Sequence, residues 1–195
     1  MKTTILLVLL SWGMLGCGNE ETTSPVLPAE SAPVQTVEFS RQADQELKQI
    51  GFVLPTDEVQ APDFTLENLE GERQSLSDFR GRVVFLNFWG VWCYYCRIEM
   101  PSIQRLYDRL KDRGFEVVAV NVRDTEKTAR DFIRENNHTF TVLLDKEFTA
   151  TGMYGIRGFP TTFIVDKAGK LRAMYVGTRE WDDPAVVKVF EQLLK

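Results

Sequence analysis

Two nearly continuous apolar runs mark the middle of the chain. Residues 83–88 and 115–122 are rich in Val and Phe, as expected of strands that are covered on both faces of a sheet. Between them, residues 94–113 place apolar side chains at helical spacing, and Gly114 ends that pattern. The alternation of strand and helix predicts a sheet covered by helices.

The same alternation continues before and after this unit. Residues 64–66 and 73–75 flank a turn at Glu70-Gly71 and predict a hairpin. The other predicted elements are a helix over 125–136, a strand over 141–144, a short helix over 147–154, strands over 161–165 and 171–176, and a last helix over 183–194. The predicted fold class is therefore α/β, a mixed central sheet sandwiched by helices.

The first residues have the layout of an export signal. Lys2 precedes an apolar run that is shorter and more interrupted by glycine than a typical spanning helix. The run ends at Gly16-Cys17-Gly18, which resembles the lipobox of bacterial lipoproteins, where the cysteine is acylated. An ordinary cleaved signal and an uncleaved anchor are the alternatives.

The pattern divides the chain into four predicted segments. Residues 1–17 form a lipoprotein-type signal peptide, and residues 18–38, rich in Ser, Thr, Pro and Glu, form a disordered acidic tether. Residues 39–60 hold a linker and a short amphipathic helix with Ser40 as its N-cap. Residues 61–195 form the folded domain.

The charge and length of the chain argue against nucleic-acid binding and indicate a single domain. The chain has 195 residues and a net charge of −5, and part of this acidity lies in the predicted tether. The domain is therefore nearly balanced, without the broad basic surface of a nucleic-acid-binding protein. This length is enough for one domain with a full core, and we expect a monomer.

Cys93 and Cys96 stand at the predicted start of the helix over 94–113. The unpaired N–H groups and the dipole at a helix N-terminus favour an anion, and the thiolate is the attacking form of cysteine. Cys93 is therefore the predicted nucleophile, and Cys96, one turn further in, closes a redox disulfide with it. If Cys17 carries lipid, these two are the remaining thiols.

Other uses of a close cysteine pair fit less well. A zinc site needs about four ligands, yet the chain has no second cysteine pair and His138 is its only histidine. A copper-delivery site also needs a histidine placed by a motif. A disulfide that closes one helical turn constrains little chain, so it adds little stability. The sequence predicts thiol redox chemistry that uses neither a metal nor a cofactor.

The stretch FWGVWCYYCRIEMP over residues 88–101 resembles the active-site stretch of TlpA/ResA-like thioredoxin-fold proteins. The resemblance covers most of the chain after residue 60 and includes APDF at 61–64, LSDFRG at 76–81 and GFPTTF at 158–163. The helix over 125–136 matches the central insertion that separates this group from plain thioredoxins. The resemblance implies a thioredoxin-like fold with an N-terminal hairpin and a central αβ insertion.

The same resemblance implies roles for residues around the dithiol. Pro160 matches a cis-proline loop that offers backbone groups to an extended substrate, and Phe159 beside it should help to set substrate choice. Glu99 matches an acidic residue thought to tune thiol ionisation, although a carboxylate is also simply favourable in the first turns of a helix. Trp89 and Trp92 should flank the site, mainly as packing.

Two positions depart from the pattern of the wider superfamily. Asn87 lies where plain thioredoxins carry a buried Asp used in proton transfer, so Glu99 or water must serve here. Tyr94 and Tyr95 replace an intervening pair whose second residue is commonly Pro, and they add two bulky rings at the mouth of the site. We expect the tyrosine pair to influence both the direction of catalysis and the choice of client.

These features predict an extracytoplasmic protein-disulfide reductase that is anchored to a membrane through lipid on Cys17. By resemblance, its clients include the haem-attachment cysteines of apocytochromes c, and its electrons come from a membrane thiol-transfer protein. Two other functions stay open, a peroxiredoxin-like peroxidase and a non-catalytic binding module that senses redox state. A peroxidase should carry Thr or Ser shortly before a lone Cys, whereas Val91-Trp92 precede Cys93.

Overall fold

A computed structural model describes residues 34–195 of the chain, with side chains from residue 41 onward. The strands are β1 Val59–Gln60, β2 Thr65–Asn68, β3 Arg73–Ser75, β4 Val83–Trp89, β5 Phe115–Val122, β6 Thr141–Asp145, β7 Thr161–Val165 and β8 Lys170–Val176. The helices are α1 Val34–Gln49, α2 Tyr94–Leu110, α3 Glu126–Glu135, α4 Thr149–Met153 and α5 Pro184–Leu193.

All eight strands join one mixed sheet in the order β1-β8-β7-β4-β5-β6-β2-β3. β4, β5 and β6 run parallel, whereas β7 runs antiparallel to β4 and to β8. The hairpin β2–β3 adds to the edge of β6. The predicted mixed sheet and the predicted N-terminal hairpin are both confirmed.

β4 lies in the middle of the sheet and is buried on both faces. Phe85 packs into one apolar core, which also contains Ile103 of α2 and Phe190 of α5. Leu86 and Phe88 point to a second core on the opposite face. Because neither face meets water, the strand is apolar apart from Asn87, whose side chain is buried and hydrogen-bonded, and this explains the nearly continuous apolar run in the sequence.

The first helix differs from its prediction. It begins at Val34 rather than after Ser40 as an N-cap, so it extends into the segment predicted as tether. No Gly or Pro interrupts residues 34–40, and a lone serine is tolerated inside a helix. Tertiary packing stabilises the helix, because Leu47 is fully buried and Glu46 Oε1 accepts a hydrogen bond from Lys188 Nζ of α5 at 3.1 Å.

The short helix α4 is shorter than the predicted span of 147–154. Phe148 precedes it with a φ of 57°, in the left-handed region, so the helical conformation cannot extend back through this residue. The other predicted helices agree with the structure to within a residue or two at each end, apart from α2, whose last predicted turn is a 3-10 turn over Lys111–Arg113.

The predicted signal peptide, Cys17 and most of the predicted tether lie outside the described residues. From residue 34 to the C-terminus, the structure contains no helix that is both long enough and apolar enough to cross a membrane.

The sheet brings distant segments to one edge. β4 ends at Trp89, and α2 begins a few residues later, so the two cysteines lie just beyond the carboxyl end of β4. Phe88 of β4 pairs with Thr161 of the antiparallel β7, which places Pro160 beside the loop that carries the dithiol.

Candidate active site

Cys93 is the N-cap residue of α2. Its backbone is extended, with φ −87° and ψ 108°, and its Sγ accepts a hydrogen bond from the backbone N–H of Cys96 at 3.2 Å. This N–H is one of the groups that a helix N-terminus leaves without an intrahelical partner. The sulfur of Cys93 is therefore placed where the backbone stabilises negative charge.

Cys96 lies one turn further along α2 and is joined to Cys93 by a disulfide, with the two Cα atoms 5.3 Å apart. The two cysteines differ in access. Cys93 keeps 7% of its surface exposed, whereas Cys96 has 0%. Cys93 is therefore the cysteine of the pair that keeps some contact with solvent, and Cys96 is shielded.

The Phe159–Pro160 peptide bond is cis. The backbone carbonyl of Pro160 accepts a hydrogen bond from the N–H of Gly177 at 2.9 Å, which ties this loop to the end of β8. The ring of Phe159 meets the ring of Trp92 edge to face, with centroids 5.2 Å apart. The loop before β7 and the loop before α2 thus form one continuous surface beside Cys93.

The indole of Trp92 is held in a fixed position although it is exposed. Its Nε1 donates to the backbone carbonyl of Val122 at 2.9 Å. Gly90 makes this position possible, because a Cβ on residue 90 would lie only 2.3 Å from Nε1 of Trp92. The glycine two residues before Trp92 is therefore required by the close approach of the indole to the backbone.

Glu99 is buried one turn beyond Cys96 on the same helix. Its Oε1 accepts from Asn87 Nδ2 at 3.0 Å, and its Oε2 accepts from Trp181 Nε1 at 2.9 Å. Asn87 Nδ2 also donates to Thr162 Oγ1 at 3.0 Å. These hydrogen bonds form a network that connects four parts of the chain: β4, α2, β7 and the segment before α5.

Burial controls the ionisation of Glu99. It raises the pKa of this carboxyl from the ordinary 4.5 to about 7, even though the donors on Trp181 and Asn87 partly oppose the shift. Residues i and i+3 of a helix lie on the same face, so Glu99 lies on the face of α2 that carries Cys96. A carboxyl with a pKa near 7 can either take or give a proton at neutral pH.

Potential metal ligands do not cluster in the described residues. Among residues 41–195, no group of three or more His, Cys, Asp or Glu side chains lies close enough together to hold one. His138 is a core residue whose ring stacks on Phe140, with centroids 5.2 Å apart.

Comparison with known proteins shows the family. A model of the AhpC/TSA family matches residues 58–174. The thiol-disulfide oxidoreductase ResA of Geobacillus thermodenitrificans is 41% identical over 123 residues, which are 63% of this chain and 71% of that protein. ResA of Bacillus anthracis is 38% identical over 135 residues, which are 69% of this chain and 74% of that protein. The chain is a ResA-like member of the AhpC/TSA family.

Solved structures agree with this ResA-like assignment. The crystal structure of a Chlorobium tepidum protein assigned as the thiol:disulfide interchange protein DsbE is 35% identical with a TM-score of 0.67, covering 73% of this chain and 100% of that chain. A secreted thiol-disulfide isomerase from Corynebacterium glutamicum is 31% identical with a TM-score of 0.66, covering 73% of this chain and 90% of that chain. The protein is therefore a thiol-disulfide oxidoreductase with a thioredoxin-like fold.

The structure of this ResA-like protein separates the candidate residues into groups. Trp92 and Phe159 lie together beside Cys93, whereas Glu99 lies behind Cys96. The rings of Tyr94 and Tyr95 are exposed and contact each other edge to face. Trp89, the last residue of β4, is fully buried, packs against Phe132 and belongs to the same apolar core as Cys93 and Cys96.

Sequence reasoning missed two members of the hydrogen-bond network in this ResA-like site, Trp181, which donates to Glu99, and Thr162, which accepts from Asn87. Trp181 and Thr162 belong to the network but lie far from Glu99 and Asn87 along the chain. Their only sequence feature is a polar or amphipathic side chain at a position that the fold buries. A buried tryptophan usually finds a hydrogen-bond acceptor for its N–H, and this rule could have prompted a search for one.

Proposed function

We propose that Cys93 is the nucleophile and Cys96 the resolving cysteine of a reductase that acts on protein disulfides outside the cytoplasm. The observation that carries the proposal is the asymmetry of the pair. Cys93 keeps a small exposed fraction and its Sγ accepts an N–H at the start of α2, whereas Cys96 is fully buried. An exposed thiolate backed by a shielded second thiol is the arrangement that two-step disulfide exchange needs.

The reaction proceeds through a mixed disulfide. In the reduced enzyme, the thiolate of Cys93 attacks one sulfur of the client disulfide, the client S–S bond breaks, and the other client sulfur leaves as a thiolate that takes a proton. Cys96 then loses its proton and attacks the sulfur of Cys93. This second step breaks the mixed disulfide, releases the reduced client and leaves Cys93 and Cys96 joined.

Glu99 is proposed to receive the proton of Cys96. The residue at position 87 is an amide and not an acid, so it cannot serve as a base, but its Nδ2 donates to Glu99. Glu99 of α2 therefore provides the carboxyl group next to the dithiol. Its pKa of about 7 matches the requirement for a group that exchanges protons at neutral pH.

The proposed location and partners rest on the N-terminal sequence and on the relatives. One similar protein is named as a secreted thiol-disulfide isomerase, and the sequence before residue 18 has the layout of a lipoprotein signal. Reductase activity outside the cytoplasm needs a source of electrons, and we propose a membrane thiol-transfer protein with its own dithiol. The haem-attachment cysteines of apocytochromes c are the proposed clients.

The direction of catalysis follows from the midpoint potential of the dithiol. A reductant should have a potential near that of thioredoxin, about −270 mV, whereas an oxidant of the DsbA type lies near −120 mV. We expect a value close to the first, measured by equilibration of Cys93 and Cys96 with thiol–disulfide redox buffers and quantified by alkylation. A value close to the second would contradict a role as a reductase.

Lipid anchoring is tested by the substitution Cys17→Ala in cells that process lipoproteins. We expect the unchanged protein to enter the detergent phase and to gain the mass of acyl chains, and the variant to lose both properties. Cys93→Ala serves as a matched control and should keep the lipid. If the unchanged protein and the Cys17→Ala variant both enter the aqueous phase, the segment is an ordinary cleaved signal. If both stay in the membrane, it is an uncleaved anchor.

A further inference from the structure

Three arginines stand close to the dithiol segments without an ion-pair partner. Arg97 directly follows Cys96, Arg123 directly follows β5, and Arg157 lies shortly before Pro160. All three are exposed. No salt bridge among residues 41–195 includes any of these residues, which we call the rim arginines.

Two of the rim arginines lie over aromatic rings that border the site. The guanidinium carbon of Arg97 is 6.0 Å from the ring centroid of Tyr94. That of Arg123 is 5.9 Å from the ring of Trp92 and 5.6 Å from the ring of Phe148. Contact with a ring face leaves the N–H groups at the edge of a guanidinium available as donors. These arginines are thus held in place, and their hydrogen-bonding capacity is still unused.

The backbone around Arg123 is in an unusual conformation. Arg123 has a φ of 73°, and Phe148, whose ring it contacts, has a φ of 57°. Left-handed conformations cost free energy for residues other than glycine and are found preferentially at functional sites. Arg123 directly follows β5, and Phe148 lies three residues beyond the end of the neighbouring parallel strand β6, directly before α4.

The nearest carboxylate in sequence is already engaged elsewhere. Asp124 directly follows Arg123, but its Oδ2 accepts from the backbone N–H of Val91 at 2.6 Å and from Asn121 Nδ2 at 2.9 Å. It therefore fixes the loop that leads to Cys93 and does not neutralise Arg123. Among residues 41–195, neither Arg97 nor Arg123 forms a salt bridge, so both positive charges remain available beside the rings of Tyr94 and Trp92, which flank Cys93 in the sequence.

We propose that the enzyme recognises client segments that carry Asp or Glu within a few residues of the disulfide cysteine. The exposed rings of Trp92, Tyr94 and Tyr95 provide an apolar contact surface, and Arg97 and Arg123 bind the client carboxylates at its borders. A guanidinium forms charge-assisted, often bidentate, hydrogen bonds with a carboxylate. This inference rests on the proposed function, since it names the clients of the same dithiol.

The test uses three peptides of equal length, each closed by one internal disulfide. Glu, Gln or Lys flanks the two cysteines, and kcat/KM is measured for the reduced enzyme. Each value is divided by the rate of reduction of the same peptide by dithiothreitol, because neighbouring charges also change the intrinsic reactivity of a disulfide. We expect the normalised value to be about ten-fold higher for the Glu peptide than for the Gln peptide, lowest for the Lys peptide, and to converge as salt is added.

The double variant Arg97→Gln, Arg123→Gln should reduce the Glu-to-Gln ratio to near one. A matched control is Arg73→Gln, which removes one charge on the edge strand β3 and should keep the ratio of the unchanged enzyme. The Glu-to-Gln ratio of normalised kcat/KM is compared because a general loss of activity or of folding lowers the values for both peptides equally.

The outcomes separate this inference from the proposed function. Equal normalised rates for all three peptides, or a Glu preference that persists in the double variant, would overturn the proposed recognition while leaving the reductase intact. Failure to reduce any of the peptides, or insulin, would instead overturn the proposed reductase.

Discussion

Replacing Cys93 by serine is expected to lower the rate of insulin disulfide reduction by at least about 10³-fold. A serine hydroxyl at this position can still accept the N–H of Cys96, so the local structure should persist. It cannot form a sulfur–sulfur bond with a client, so the first step of exchange is lost. The measurement is turnover of insulin with a dithiol electron donor, followed by turbidity.

Cys96→Ser is the matched variant, because it removes the other sulfur and leaves the accessible one. We expect it to form a mixed disulfide with the client that is not resolved, which non-reducing electrophoresis detects as a covalent adduct. Cys93→Ser should form no such adduct. Equal adduct formation by both variants, or full turnover by Cys93→Ser, would contradict the assignment of Cys93 as nucleophile.

The same pair of variants separates the reductase from its alternatives. A peroxiredoxin-like peroxidase should consume peroxide at a rate that depends on Cys93 and does not require a client disulfide. A redox-sensing module should exchange one equivalent and then stop. Multiple turnovers on insulin without peroxide consumption would favour the reductase over both.

The helix and strand that position the dithiol could be predicted from the sequence, because each has a hydrophobic pattern that depends only on nearby residues. β4 is buried on both faces and α2 has one apolar face, and either pattern is visible in a short window of residues. The start of α1 was predicted wrongly for a related reason. Capping preferences are weak and local, whereas that helix is stabilised by Leu47 and Glu46 through contacts with the rest of the domain.

The surroundings of Glu99 could not be predicted in the same way. Its hydrogen-bond partners include Asn87 and Trp181, which lie on other elements and are brought together only by the complete sheet. The resemblance indicated that Glu99 lies near the dithiol but gave no partner and no degree of burial. The change in its pKa is a property of the assembled core, since desolvation by burial is its largest cause.

The free energy of unfolding of the oxidised protein should depend on pH through Glu99. The unfolded chain loses this proton near the ordinary pKa of 4.5, whereas the folded protein keeps it until about pH 7. Between these values the folded state binds more protons, so stability falls as pH rises, and it levels off above pH 7. The shift corresponds to a loss of about 3 kcal/mol across this range. The oxidised form is used because its two cysteines do not titrate.

Glu99→Gln isolates this contribution. The pH-dependent loss between about pH 4.5 and 7 should disappear from urea unfolding curves of the variant, whereas Glu70→Gln, in an exposed turn, should keep it. His138 contributes with the opposite sign, because burial lowers its pKa and stability is lost as pH falls below its ordinary value of 6.5. The difference between the curves of the unchanged protein and the Glu99 variant removes the histidine contribution.

Trp181→Phe provides a second, directional test that does not depend on the folding of the Glu99 variant. The indole N–H donates to the carboxylate of Glu99 and lowers its pKa, so its loss should raise that pKa further. The pH at which stability levels off should then move above 7, whereas a cavity left by the smaller ring lowers stability equally at every pH. A levelling point that stays in place in Trp181→Phe would contradict the assignment of the pH dependence to Glu99 and would show that another group titrates in this range.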